Sequence, residues 1–309
     1  MILNTGLRTD IPAFFTPWFL RRLQEGYVLS RSPYAPKRVL RYRISPDVVD
    51  VIGFGTKNPG PMLPHLPLLE DFGQFWYVTI TPYGPDVEPH VPPKQQVMKD
   101  FLTLSEAVGP RSVGWRYDPI FLSEDYPLDR HIAEFEQMAR TLSGATEVCV
   151  ISFIDLYEKV RRNFPQAREV TMEEQIRLVS ALAPIARRCG MTLKTCAEDP
   201  SLAAFGADTD GCMTIPLYER AIGCALRAPK IKPSRTGCVC HLSADIGAYH
   251  TCAHLCRYCY ANHDALTVQK NLARHDPASP LLVGGLMPGD EIIPAKQESW
   301  KQPSLFAMY

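Results

Sequence analysis

From Met1 to about residue 200 the chain repeats one unit: a short apolar or β-branched run, a few polar residues, then an amphipathic stretch of helical length. Parallel strands need long crossover connections, usually helices, so this alternation restricts the fold to an α/β architecture on a parallel sheet. The runs are Met1–Thr5, Val48–Phe54, Phe75–Ile80, Ser112–Trp115, Glu147–Phe153 and Met191–Thr195. Each is short enough for a strand and apolar enough to be covered on both faces. Helical candidates lie between them at Phe14–Gln24, Gln95–Val108, Leu128–Leu142 and Met172–Cys189, with apolar residues at spacings of three and four. Gly73, Gly109, Gly144 and Gly190 stand at or near their ends, where glycine can close a helix. The expected fold is a TIM-like or partial (β/α)6 parallel barrel over residues 1–200. Residues 201–309 are expected to form a cysteine-rich metal-binding segment and a C-terminal strap packed on it.

The residues that follow the strands are rich in functional groups: Arg8-Thr9-Asp10, Thr56-Lys57-Asn58, Thr81-Pro82-Tyr83, Arg116-Tyr117-Asp118, Ser152 to Asp155, and Cys196-Ala197-Glu198. In a parallel barrel these positions share one rim, where the active sites of such barrels lie. Arg8, Lys57 and Arg116 are candidates to line a pocket and hold a carboxylate or phosphate of a small-molecule or nucleotide-like substrate. Asp10 and Asp118 are divided between catalysis and helix capping, since strand-end aspartates serve as caps and turn residues. His131 reads as a surface or capping residue.

Lys+Arg 33 balance Asp+Glu 33, which argues against coating extended nucleic acid or an anionic membrane. No apolar run approaches the ~20 residues of a membrane span, and the N-terminal residues do not resemble a signal peptide. The expectation is a cytoplasmic protein. Ten cysteines are many for a reducing compartment, where structural disulfides are rare. Cys149 stands alone within a predicted strand, and the other nine fall in the last two fifths of the chain.

Cys252-Ala-His-Leu-Cys256-Arg-Tyr-Cys259 places three thiolates so that a loop can wrap one face of a cubane, and soft thiolates select iron–sulfur clusters, zinc or Cu(I). A [4Fe-4S] cluster is the favoured occupant and zinc the alternative, because structural zinc sites usually pair two Cys-x-x-Cys units. Cys238 and Cys240, with Cys196 and Cys212 brought near by loop closure, form a second candidate set for an auxiliary cluster or zinc. His250 and His254 flank the triplet and suit supporting hydrogen bonds. Ser243 and Asp245 lie in a turn that can donate or accept near a cluster or substrate. The basic run Leu226–Arg235 reads as a solvated loop or as charge balance for a cluster.

The triplet, with Tyr258 before its last cysteine, resembles the cluster loop of the radical S-adenosylmethionine superfamily. That resemblance implies S-adenosylmethionine on an open fourth iron, radical chemistry and a reductant protein as partner. It also carries a departure: here the triplet follows all six candidate strands rather than the first. Over nearly the full length the chain resembles the bacterial family called domain of unknown function 1848, through Arg8-Thr-Asp-Ile-Pro-Ala13, Thr56-Lys-Asn-Pro59, Thr81-Pro-Tyr-Gly84, Trp115-Arg-Tyr-Asp-Pro-Ile120, Ile151-Ser-Phe-Ile-Asp155 and Cys238 through Asn262. The resemblance implies a barrel-like core and a C-terminal cysteine cluster, without a reaction. Gly55 stands where that family usually has an aromatic residue, which suggests a roomier rim beside Lys57. The expected function is an iron–sulfur enzyme of radical type. The rivals are a two-cluster electron-transfer or redox-sensing protein and a zinc-stabilised nucleotide-binding module.

Overall fold

The computed structural model describes residues 1–231, 237–242 and 244–302. The first half contains β1 (Ile2–Asn4), α1 (Ile11–Phe14), α2 (Thr16–Glu25), β2 (Tyr27–Arg31), β3 (Arg38–Arg43), β4 (Val51–Thr56), β5 (Gly73–Thr79), α3 (Lys94–Val108), β6 (Val113–Ile120) and α4 (Leu128–Thr141). It continues with β7 (Val148–Phe153), α5 (Glu158–Asn163), α6 (Met172–Arg188), β8 (Thr192–Thr195), α7 (Ile215–Ile222), β9 (Ala244–Asp245), α8 (Ala265–Leu272) and β10 (Glu291–Pro294).

Seven strands form one sheet in the order β8-β7-β6-β5-β4-β1-β9, with every neighbouring pair parallel. Each of the six expected runs overlaps one of its strands. The fold is a mixed α/β one with helices on a seven-stranded parallel sheet whose end strands are β8 and β9, and of the expected barrel it shows the parallel sheet without a confirmed closure. After β8 the chain runs beside it at Asp208, which accepts from Thr195 N (2.9 Å) and donates to the Leu193 carbonyl (2.8 Å). It then returns to pack α7 near β5, where the Tyr218 ring meets Phe75 edge-on at 5.9 Å. β9 then pairs β1 through only Leu3↔Ala244 and Asn4↔Asp245.

The strands are apolar on both faces because helices and loops cover both. Phe54 stacks on Trp76 at 3.7 Å, and Trp115 on Phe135 of α4 at 4.7 Å. α6 buries Leu178, Val179, Leu182, Ile185 and Ala186 along one stripe. It starts at a capping box in which the Thr171 hydroxyl accepts from the Glu174 amide while the Glu174 carboxylate accepts from the Thr171 amide. Gly109, Gly144 and Gly190 have positive φ as expected, whereas Gly73 opens β5 rather than ending a helix.

A smaller sheet of order β10-β3-β2 was not expected. β2 and β3 are an antiparallel hairpin, and β10 adds in parallel to β3. The segment after α8 contacts the first half of the chain: Trp18 Nε1 donates to the Ser279 carbonyl (2.9 Å), and Leu29 N to the Pro280 carbonyl (2.9 Å). Phe306, Ser243 and residues 232–236 of the basic run lie outside the described residues. Among the described residues no helix is long and apolar enough to cross a membrane.

Candidate functional site

Because the strands of the large sheet are parallel, their C-terminal ends meet along one edge, the usual place for ligands in such folds. The residues that follow β1, β4, β5 and β8, and those that end β6, gather there, and the loop carrying the cysteine triplet folds back over them. Tyr258 donates its hydroxyl to Glu88, and Tyr260 donates to the Leu7 carbonyl.

Asp10 is the latch of this arrangement. Its Oδ1 accepts from Ala13 N (3.0 Å), capping α1, while Oδ2 accepts from Lys57 N (2.7 Å) and lies 2.9 Å from His254 Nε2. One buried carboxylate thus joins the ends of β1 and β4 to the triplet loop. Arg8 is turned toward β9. It pairs with the Asp245 carboxylate, donates to the Asp245 carbonyl (2.6 Å) and lies over the Tyr249 ring at 5.8 Å. Arg8 and Asp245 therefore come together, while Ser243 lies outside the described residues.

Lys57 Nζ donates to Glu88 Oε1 (2.9 Å), which also accepts from the Thr81 hydroxyl (2.7 Å) and from Tyr258. Burial is the largest single influence on Lys57 and works against its charge, yet Glu88, Cys256 and Asp118 together raise the ammonium pKa. Burial, followed by the Glu88 charge, pushes the Tyr258 hydroxyl well up. Glu88 was missed from sequence because it sits deep in the proline-rich loop between β5 and α3, beyond the strand-end residues Thr81 to Tyr83. The only pointer was its place seven residues after Thr81.

Arg116 lies midway along β6, level with Thr79 at the end of β5. Its Nη2 donates to Cys212 Sγ (3.2 Å), its guanidinium lies 4.9 Å from the centre of the Tyr77 ring, and Nε is 3.5 Å from Asp118 Oδ2. That Nε is buried and has no hydrogen-bond partner among the described residues. Beside it, Cys212 Sγ is 3.3 Å from Cys240 Sγ, and the half-buried Cys196 thiol meets Cys212. Cys238 is buried close by. Tyr260 keeps 53% of its surface exposed, yet burial pushes its hydroxyl up, with Cys259, Asp245 and Arg116 among its charged surroundings.

The cofactor expectations are corrected. Among the described residues no three His, Cys, Asp or Glu side chains are arranged to hold a metal ion. This overturns the [4Fe-4S] cluster on Cys252, Cys256 and Cys259. It also overturns a second cluster or zinc on Cys196, Cys212, Cys238 and Cys240, and with them S-adenosylmethionine on an open iron and the need for a reductant protein. The triplet thiols stand near enough to feel one another's charge, but each also lies against another group: Cys252 by Asp10, Cys256 by Lys57 and Tyr258, and Cys259 Sγ accepts from Ala261 N (3.3 Å). At the second set, the cation beside the sulfurs is Arg116 itself. All ten cysteines are free of disulfide bonds.

Three non-glycine residues adopt left-handed backbone at this edge: Ala197 (φ 58°) beside Cys196, and His250 (φ 59°) and Leu255 (φ 55°) in the triplet loop. Such positions cost on the order of 1 kcal/mol or more and concentrate at functional sites. The expected room beside Lys57 is absent, because the backbones of Gly6 and Gly55 touch. A Cβ on Gly6 would stand 2.4 Å from the Gly55 carbonyl oxygen.

His131, expected at the surface, is fully buried behind the rim, between the Tyr117 hydroxyl and the Phe121 carbonyl. Thr81 was read from sequence as a strand-end residue, whereas Glu88, Tyr77 and Tyr260 join the site through tertiary contacts and were not singled out from it. No curated protein matches this chain. The family model described as Domain of unknown function (DUF1848) matches residues 2–261, from β1 through the cysteine triplet, and the chain belongs to that family.

Proposed function

We propose that the chain is an enzyme that binds a small anionic molecule, a carboxylate or a phosphate monoester, at the C-terminal edge of its sheet, with Arg116 as the anion-holding group. The observation that carries this reading is the buried Arg116 Nε, which makes no hydrogen bond among the described residues, its nearest carboxylate oxygen being Asp118 Oδ2 at 3.5 Å. The rest of the guanidinium meets a thiol and an aromatic face. A desolvated N–H whose hydrogen bond is unmade costs about 1–3 kcal/mol, and an oxyanion supplies an acceptor in the geometry a guanidinium prefers.

Asp118, beside the anion position, is the candidate general acid or base, while Lys57, Glu88 and Tyr258 form a connected set able to carry a proton toward Cys256. Arg8 and Asp10 hold the rim in shape, since the Arg8 guanidinium pairs with Asp245 and both Asp10 oxygens carry structural bonds. The left-handed residues flanking the cysteines support a site held in shape at some cost in stability.

The test is calorimetric titration with dicarboxylates, 2-oxo acids and phosphate monoesters, nucleoside monophosphates included. One of these classes is expected to bind, and Arg116→Ala is expected to weaken it by about 30-fold, or ~2 kcal/mol, for a charge-assisted hydrogen-bond pair. Unchanged affinity in Arg116→Ala, or no binding by any class, rejects the reading.

A further inference from the structure

The thiols behind Arg116 carry an inference that stands apart from the substrate reading. Cys240 Sγ sits in a built cradle: it lies 3.3 Å from Cys212 Sγ and accepts from two successive main-chain amides, Cys212 N (3.3 Å) and Met213 N (3.2 Å). Consecutive amides turned onto one atom form an anion-holding concavity, so the cradle favours sulfur as thiolate. Gly211 makes the approach possible. Its φ is +88°, and a Cβ there would stand 2.6 Å from Val239 Cγ2 and 3.7 Å from Cys240 Sγ. The turn is fastened from both sides, by His241 N donating to the Met213 carbonyl (2.7 Å) and by the Tyr77 hydroxyl donating to the Cys212 carbonyl. Arg116 Nη2, 3.2 Å from Cys212 Sγ, adds positive charge beside the pair.

We propose that Cys212 and Cys240 are a redox-active dithiol that closes to a disulfide on reaction with a small hydroperoxide. The Cys240 sulfur attacks the peroxide, the O–O bond breaks, and Cys240 becomes a sulfenic acid as the departing oxygen takes up a proton to leave as water. Cys212 Sγ then attacks the sulfenic sulfur, the S–S bond forms, and the second oxygen leaves as water with the Cys212 proton. Two thiols lose two electrons and two protons, and hydrogen peroxide becomes two waters. Closing the bond shortens the sulfur separation from 3.3 Å to about 2.05 Å, within the reach of side-chain rotation. Cys212 is 2% and Cys240 4% exposed, which excludes a tripeptide disulfide and requires an oxidant of water-like size. Cys196, half-buried and touching Cys212, is the more exposed neighbour of the pair. The product fastens the loop after β8 to the segment before β9 and removes the thiol that faces Arg116.

The test is a peptide map of the full chain after brief exposure to hydrogen peroxide, alkylation and digestion without reductant. A peptide pair linked through Cys212 and Cys240 is expected, released by dithiothreitol, lost in Cys240→Ser and kept in Cys149→Ser. Gly211→Ala is expected to slow its formation. The wild-type map decides the matter even if a variant fails to fold. Absence of the linked pair, linkage of Cys196 to Cys212 instead, or faster modification of Cys240 by glutathione disulfide overturns the proposal. So does stoichiometric metal that Cys240→Ser releases.

Discussion

His131 shows how far one buried side chain can set the behaviour of its surroundings. Its Nε2 faces the Phe121 carbonyl at 2.8 Å, which can only accept, so that nitrogen carries the proton and Nδ1 is left to accept from the Tyr117 hydroxyl at 3.0 Å. Burial, which opposes the charged ring, pushes its pKa down from 6.5 to about 4. The unfolded chain therefore binds a proton at a higher pH than the folded one. Stability is complete above about pH 6.5 and falls as pH drops toward 4, by roughly 3 kcal/mol at ~1.36 kcal/mol per unit. Urea unfolding across this window should show that slope in the wild type and a flatter one in His131→Gln, and equal slopes would reject the assignment. From sequence, His131 looked like an ordinary helix-start residue. Its burial follows from α4 packing on β6, where Phe135 meets Trp115 and Tyr117.

At the scale of elements, the contact between the chain leaving β1 and the end of β4 fixes where the rim begins. A Cβ on Gly6 would lie 2.4 to 2.5 Å from three backbone atoms of Gly55, and backbone has no rotamer by which to yield. Gly6→Ala is expected to destabilise the protein by about 2 kcal/mol, in the range for overpacking. It is also expected to weaken the anion binding assigned to Arg116, because Arg8 and Asp10 follow within four residues. A thermal midpoint within a degree of wild type would show that the two strands can part at no cost. The six strands and four long helices were legible because periods of two and 3.6 are local properties of side-chain placement. The β2–β3 hairpin and its partner β10 were not, since β10 pairs with β3 across about 250 residues, and no local pattern encodes a partner at that distance.

For the molecule as a whole, the C-terminal segment belongs to the core. Trp300 is buried, and the fully buried Asp50 accepts from the Ser299 hydroxyl (2.6 Å) and from Trp300 N (2.7 Å). Leu202, Met213, Tyr218, Ile246, Leu282 and Trp300 share one apolar cluster with the strand residues of the first half. Denaturant unfolding of the full chain should therefore be a single transition by fluorescence and far-ultraviolet circular dichroism. Deleting residues 291–309 uncovers the β3 edge and strips both of these donors from Asp50, for an expected loss of about 3–5 kcal/mol. A truncated chain as stable as the full one would show that the segment is only laid on the surface. The sequence by itself determined the parallel α/β class, the order of the six main strands and the concentration of cations, carboxylates and thiols after them, because periodicity and motif spacing are written along the chain. Only the tertiary structure decided that β9 joins the sheet beside β1, that Glu88 rather than a cluster faces Lys57 and Tyr258, and that Cys240 meets Cys212 beside Arg116. Those outcomes depend on which distant loops fold onto the same edge, and on burial and pairing there, which no run of neighbouring residues records.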